Sequence, residues 1–464
     1  MSGDCGGGIP TYTFNSRAAV AGAFLALVLS ITVKYLRGCG SEPFFYLVLS
    51  SIVVTFVGFG LTLYGIPRTS GKFPKCLQGC DLGKKGTPLE NAPVPEGLGI
   101  ISGGCFLVCL IMSQLFYAYY GGGDDLGKSS MGTKLVMEQH RRERLMEYDA
   151  ALLSICFGLL LGFVDDVLDI PHKYKFILPA LASLPLLVSY QGVTDIVIPK
   201  QLRGIIFVES DVSNELTQIG EYLHVIIPVD IASKGAIIKL GMFYHLYMLL
   251  LSVFCTNAIN IYAGINGLEA GQAVVIGLAI ITMNVLELSF EYDPVVFTGN
   301  DDQHLMSLMI MLPFVGTTLA LLAMNWYPSK VFVGDTFTHF AGMTFAVAAI
   351  IGHFSKTLLL LFVPQIINFI YSLPQLARIV PLPRHRLPTF NQKTGLMEPS
   401  KLNDRGIITK EGGHNYVNMT VINLALQIFG PMREDKLCLV LLIFQVICCS
   451  LGLLFRYSFA LVVY

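Results

Sequence analysis

Apolar residues in this chain come in long blocks and not in alternation. Ten continuous runs form a series: Phe44–Ile66, Leu98–Tyr119, Ala150–Val164, Phe176–Tyr190, Lys239–Thr256, Leu268–Leu288, Leu305–Met324, Thr336–Gly352, Thr357–Leu376 and Leu437–Leu461. Most approach the roughly 20 residues that a helix needs to cross the hydrocarbon core of a bilayer. Lipid admits only helices and closed barrels, because every backbone polar group must be satisfied internally, and runs this continuous lack the period of a barrel strand. The pattern predicts an all-α polytopic membrane protein of about ten transmembrane helices. The fourth run is short and carries Pro179 and Pro185, which predicts a kink.

An extra apolar segment, Ala18–Leu36, precedes the series. It could be a signal peptide, a signal anchor or a true further span. The 16 residues ahead of Arg17 hold no Lys or Arg, unlike the basic lead of a secretory signal, so an uncleaved anchor fits best. Residues 1–43 are then an N-terminal tail, and residues 44–464 one transmembrane domain.

Charge orients the bundle. The segments after odd-numbered runs, 67–97, 165–175, 257–267, 325–335 and 378–436, carry 17 Lys or Arg, against 9 in those after even-numbered runs. The positive-inside rule places the first set in the cytosol, although the basic residues in 120–149 pull the other way. The segment 191–238 alternates β-prone pieces with polar stretches and predicts a small hairpin-like insertion on the lumenal side.

Composition agrees with this picture and excludes other classes. The chain is 53% hydrophobic and 14% charged, with a mean hydropathy of +0.63, where soluble domains carry about 25% charged residues. A net charge of −1 provides no field for nucleic acid. The eleven cysteines include no CxxC pair and read as small buried hydrophobes.

The few polar residues at the membrane edge are where chemistry is expected. Asp165 and Asp166 end the third run. Asn257 and Asn260 end the fifth, followed by Gly264-Ile-Asn-Gly-Leu-Glu-Ala-Gly271. Asp335 follows the seventh in Val331-Phe-Val-Gly-Asp-Thr336, and Arg384-His385-Arg386 follows the ninth. All follow odd-numbered runs, so they share one membrane face in either orientation. Carboxylate and amide oxygens are hard ligands suited to Mg²⁺ or Mn²⁺, and no Cys/His pattern favours zinc. Lys175, Arg384 and Arg386 can clamp phosphate oxygens. Singly, the aspartates read equally well as a helix cap, the asparagines as interhelical glue and the arginines as topological charge. Together they assemble the parts of a phosphoryl-transfer site. An ion-coupled transporter would place charge near the midplane between related halves, and neither feature is seen. Asn418-Met-Thr420 matches a glycosylation sequon but falls in an expected cytosolic loop, so it is expected to be unmodified.

The stretches Leu161–Leu168, Phe254–Gly271, Asn325–Met343 and Pro383–Pro388 resemble the polyprenyl-phosphate N-acetylhexosamine-1-phosphate transferases. Pro383-Arg-His-Arg386 and Gly430-Pro-Met-Arg-Glu-Asp-Lys-Leu437 resemble its eukaryotic branch, the UDP-N-acetylglucosamine–dolichyl-phosphate N-acetylglucosaminephosphotransferases. The resemblance implies transfer of GlcNAc-1-phosphate from UDP-GlcNAc to dolichyl phosphate with release of UMP. It also implies an endoplasmic reticulum membrane location, a site facing the cytosol, a Mg²⁺ cofactor and a homodimer. By the same resemblance Asn260 and Asp335 hold the metal, Asp165 and Asp166 form the acid–base centre, and Lys175 contacts phosphate. Asn266 reads the uracil with Phe332 stacked nearby, Leu82 and Glu96 belong to the nucleoside-binding loop, and Asn257 joins the substrate-binding set. Arg384, His385 and Arg386 close over the pyrophosphate and the N-acetyl sugar. The chain departs from the family pattern at His172, where members carry an aromatic, and at Cys80, where some carry Gln.

Overall fold

The computed structural model describes residues 14–37, 42–74, 77–81, 84, 90, 92–120, 131–171, 174–198, 200, 203, 217–218, 221–222, 229–230, 237–290, 299–383, 386–403 and 416–459. Helices dominate, and the predicted runs recur in order: α1 (Phe14–Leu36), α2 (Glu42–Ser70), α3 (Gly99–Tyr120), α4 (Met131–Leu168), α5 (Ile177–Ser189), α6 (Met242–Ile261), α7 (Leu268–Phe290), α8 (Gly299–Asn325) and α9 (Gly334–Ile351). The chain continues through α10 (Ser355–Leu361), α11 (Val363–Leu376), α12 (Val421–Phe429) and α13 (Glu434–Leu454). Among the described residues eight helices are long and apolar enough to cross a membrane, and a ninth span forms if the bent pair α10–α11 counts as one. This is a helical multi-pass membrane protein.

Burial grades from rim to centre. In α8, 94% of the spanning window is inside the protein, against 22% in α1. Residues Thr336–Ile351 of α9 are all buried. A helix apolar on every side belongs at the middle of a bundle. The outer helices turn residues such as Leu115, Val188 and Met242 outward, as a lipid-facing surface requires.

Several predicted boundaries shift, each for a physical reason. The third run extends backward into α4, so most of 120–149 is helix and not loop. Its polar positions pair at i,i+4 spacing, Arg142 with Glu138 as an ion pair and Gln139 with Glu143 as a hydrogen bond, which supports a helix where hydropathy alone does not. The ninth run is two helices bent by 68° at Phe362. Pro364 has no N–H for the preceding turn and suits the start of a new helix. In α5 the Pro185 position is tolerated because the next amide, Leu186 N–H, finds Ser154 Oγ of α4 at 3.2 Å. The region 378–436 is not a plain loop. It holds the antiparallel pairs β6 (Thr389–Asn391) with β7 (Leu396–Glu398), β8 (Lys401–Leu402) with β9 (Tyr416–Val417), and then α12. The 191–238 insertion contributes β3 (Asp195–Val197) and β4 (Val229–Asp230), both antiparallel to β5 (Ile237–Lys239), giving three strands instead of a hairpin. A further pair, β1 (Gln78–Cys80) and β2 (Pro93–Pro95), lies in the 67–97 segment.

Helix α1 is an integral part of this bundle. Arg17 donates to the carbonyls of Trp326 at 2.8 Å and Tyr327 at 3.1 Å, tying its start to the turn after α8. Asn418 is fully buried with its backbone N–H on Ser400 O, a setting closed to a bulky glycan.

Candidate active site

The site begins with a close helix crossing. At Gly162 on α4, an added Cβ would lie 2.7 Å from Thr336 Cα and 2.8 Å from Asp335 O. Only glycine lets α4 meet the start of α9 at this distance, the small-residue contact typical of membrane bundles. The approach sets Asp165 and Asp166, one turn further along α4, beside the first turn of α9.

The two aspartates then take different partners. Asp166 caps α9 from another helix: its Oδ1 accepts from Asp335 N–H at 2.7 Å, and its Oδ2 accepts from Thr336 N–H at 2.9 Å and also from Thr336 Oγ1–H. These amides are orphan donors of a helix start whose own flanking residue, Val333, supplies no side-chain cap. Gly334, with φ of +74°, makes the sharp entry into the helix. Asp165 turns the other way. Its Oδ2 lies 2.8 Å from Lys175 Nζ, and Lys175 Nζ is 2.7 Å from Asp335 Oδ2. Asn260 Nδ2, from the end of α6, donates to Asp335 Oδ1 at 2.9 Å. Burial by itself lowers the Lys175 ammonium, but Asp335 and Asp165 more than offset it, so the group stands above its ordinary lysine value and stays charged.

A second set of backbone contacts brings in the 67–97 segment. Phe332 N–H donates to Pro95 O at 2.7 Å, Leu98 N–H to Phe332 O at 3.1 Å and Gly99 N–H to Val333 O at 3.0 Å. The ladder places Glu96 and Phe332 on the wall of a cavity of about 250 Å³, together with Asp81, Asn260, Asn266, Glu269, Asp335, Leu387 and Glu434. Burial and the nearby Asp335 push the Glu96 carboxyl up. The lining holds five acids, Asp81, Glu96, Glu269, Asp335 and Glu434, and no Lys or Arg among the described residues. Such a wall favours a cation.

Of the residues expected from sequence, Asp165, Asp166, Lys175, Asn260 and Asp335 form one connected network, and Glu96, Asn266 and Phe332 line the adjoining cavity. Asn257 is not in the lining, and its Nδ2 donates back to Val253 O of its own helix at 2.8 Å. Arg386 is anchored on Ser372 Oγ and Met419 O, which fixes the segment whose next residue, Leu387, seats on Gly264. Leu82, His172, Arg384 and His385 lie outside the described residues.

Sequence reasoning missed several participants. His339 stands four residues after Asp335 on the same face of α9, with Nε2 3.8 Å from Asp165 Oδ2, and that i,i+4 spacing was the available signal. Asn325 Oδ1 accepts from Gly267 N–H at 3.0 Å, and Glu269 Oε1 from Gly264 N–H at 2.9 Å, so both shape the loop after α6. Asp81 and Glu434 bind Asn266. No local pattern marks Asp81.

The glycosyl transferase family 4 pattern matches residues 149–353, the stretch from α4 to the end of α9 that carries the network. A UDP-N-acetylglucosamine–dolichyl-phosphate N-acetylglucosaminephosphotransferase from Dictyostelium discoideum is 45% identical over 389 residues, which is 82% of this chain and 82% of that protein. The protein of the same name from Saccharomyces cerevisiae is 38% identical over 455 residues, 89% of this chain and 93% of its own length. That from Schizosaccharomyces pombe is 37% identical over 453 residues, covering 90% and 93%. The chain belongs to this family of membrane phosphotransferases, the UDP-N-acetylglucosamine–dolichyl-phosphate N-acetylglucosaminephosphotransferases.

Proposed function

We propose that this enzyme transfers N-acetylglucosamine-1-phosphate from UDP-N-acetylglucosamine to dolichyl phosphate and releases UMP. The reading places it in the endoplasmic reticulum membrane as a homodimer with its site facing the cytosol. The observation that carries it is the Asn260–Asp335–Lys175–Asp165 network at the edge of an acid-lined cavity of about 250 Å³. Relatives named for this reaction, aligned over most of the chain, support it.

The donor set suits Mg²⁺. Asp335 and the Asn260 amide oxygen are hard donors, while no three His, Cys, Asp or Glu side chains among the described residues converge as a closed metal cage. Magnesium is commonly held this way, by one or two protein oxygens with water and substrate phosphates completing the shell. Bound there, it would neutralise charge on the donor pyrophosphate. Lys175 binds a phosphate oxygen, and Asp165, bonded to the same ammonium, receives a proton from the acceptor phosphate. The acceptor oxygen then attacks the β-phosphorus in line, that P–O bond forms, and the bond to the UMP oxygen breaks. Asp166 serves this step by holding α9, and therefore Asp335, in place. Phe332 and Asn266 hold the nucleoside end.

The test uses membranes containing the full chain, supplied with radiolabelled UDP-GlcNAc, dolichyl phosphate and Mg²⁺. UMP release and labelled lipid are expected together, and their absence from folded protein defeats the proposal. A glycosyl-phosphorylated Asp165 or Asp166 trapped during turnover would replace the single displacement by two steps.

A further inference from the structure

Asn266 sits in the loop between α6 and α7, and its amide is held from behind. Its Nδ2 donates to Asp81 Oδ2 at 3.0 Å, and its backbone N–H donates to Glu434 Oε1 at 2.7 Å. All three residues are buried, at 6%, 2% and 5% exposure. The nitrogen and oxygen of an asparagine amide are often interchangeable in a structure, but here the chemistry distinguishes them. A carboxylate only accepts hydrogen bonds, so the NH₂ end must face Asp81. The Oδ1 end has no donor among the described residues, and Asn266 lines the cavity alongside Phe332. The site therefore presents an oriented acceptor to the cavity that the Phe332 ring also lines.

We infer that Asp81, together with Glu434, is a positioning residue that makes Asn266 a fixed acceptor for a ring N–H and thereby selects uracil over cytosine in the nucleotide donor. The inference rests on the UDP-sugar reading above. Uracil presents N3–H between two carbonyls, so it donates to Asn266 Oδ1. Cytosine presents a lone pair at N3, and two acceptors face each other with no proton between them, which leaves a buried polar group unpaired. An unsupported asparagine could accommodate cytosine by rotating its amide and offering NH₂. At this position rotation would set Oδ1 against the Asp81 carboxylate, so the flip is opposed by electrostatic repulsion. Glu434 holds the backbone of the same residue, which keeps the amide from moving as a unit. Discrimination is thus set one hydrogen bond behind the residue that meets the base.

Binding of UDP and CDP to the purified full chain in detergent with Mg²⁺, followed by calorimetry, tests this directly. The diphosphate and the metal are common to both ligands and cancel in the ratio. The wild-type chain is expected to prefer UDP by roughly 100-fold, the scale set by leaving a buried acceptor unpaired. Asp81→Asn can present either end of its own amide, which frees Asn266 to rotate. Its preference should fall below about fivefold, with weaker UDP binding and stronger CDP binding. Asp81→Glu keeps an acceptor-only group and should hold the preference within a few fold. If Asp81→Asn yields no folded protein, Asp81→Ser removes the same constraint with a smaller side chain. A purely structural role for Asp81 would weaken both nucleotides alike and preserve the ratio, and that result overturns the inference. A wild-type chain without preference for UDP overturns it as well. Turnover of UDP-GlcNAc with dolichyl phosphate is measured in parallel. A wild-type chain that prefers UDP but transfers nothing refutes the proposed reaction and leaves the positioning role standing.

Discussion

The two ends of the bundle both bury ions, and they do so in opposite ways. Away from the cavity, Arg456 meets Glu287 through Nε at 2.9 Å and Nη2 at 2.7 Å and donates to Thr357 Oγ1 at 2.8 Å. The Tyr457 hydroxyl donates to the same Glu287 oxygen at 3.0 Å. One cation, one anion and two hydroxyls make a closed set. At the cavity end, among the described residues, Lys175 stands between Asp165 and Asp335, and four further acids line the adjoining cavity. A buried pair whose charges balance is self-sufficient, whereas clustered buried acids must take up protons or draw in a cation. The first set is complete within the protein, and the second opens on a cavity.

Mutations at the two ends sharpen this contrast. The largest effect is expected for Asp335→Ala, which removes the common partner of Lys175 and Asn260. Turnover per folded molecule should fall by about 10³-fold or more, as for a metal-holding carboxylate, and the thermal midpoint should fall too because Lys175 loses an ion pair. Full activity would remove Asp335 from the chemistry and break the comparison. Lys175→Met should reduce kcat about 100-fold in the same UMP-release assay, because the phosphate loses its cation. Asp166→Ala tests the division of labour within the pair. Loss of the α9 cap should lower stability by about 1–2 kcal/mol, with activity falling in step, whereas Asp165→Asn should depress kcat per folded molecule well beyond any loss of stability. Equal kcat per folded molecule in both variants would contradict the division.

At the closed end the expectations reverse. Arg456→Leu should destabilise by about 2 kcal/mol, the scale of charged hydrogen bonds lost from a partly buried group. Adding Glu287→Leu should recover much of that loss, and kcat per folded molecule should hold throughout. The smallest effect concerns pH. Lys175 is raised above its ordinary value in the folded state, so its ion pairs contribute fully below the unfolded lysine value and are lost as pH rises through the raised one. Thermal melts of wild type and Lys175→Met should therefore converge only under strongly alkaline conditions.

Much of the fold was legible because lipid imposes a simple length rule, and each predicted run has a helix over it. The rule faltered where something other than hydropathy governs the backbone. The charged first part of α4 is held by i,i+4 pairs, the α10–α11 break is set by Pro364, and the small sheets in 378–436 depend on pairing across loops. At the site, Asp165, Asn260 and Asp335 were legible because charged and amide side chains at span ends are rare in a chain this apolar. Asp81 was not, because it is one acid among several polar residues in a loop, and its importance comes from Asn266, 185 positions away.

What the sequence determined by itself was the class of solvent, the order of the apolar helices, and the single membrane face on which the candidate polar groups gather. These follow from hydropathy and from the parity of spans, both one-dimensional properties. Only the tertiary structure decided which member of the Asp165–Asp166 pair caps a helix and which meets Lys175, since neighbouring residues on one helix point about 100° apart. The same holds for the clustering of acids at the cavity and for the carboxylate behind Asn266. Those depend on Gly162 bringing α4 against α9, and on strands β1 and β2 folding back over the turn after α8. Contacts between segments far apart in sequence leave no period for a single chain to show.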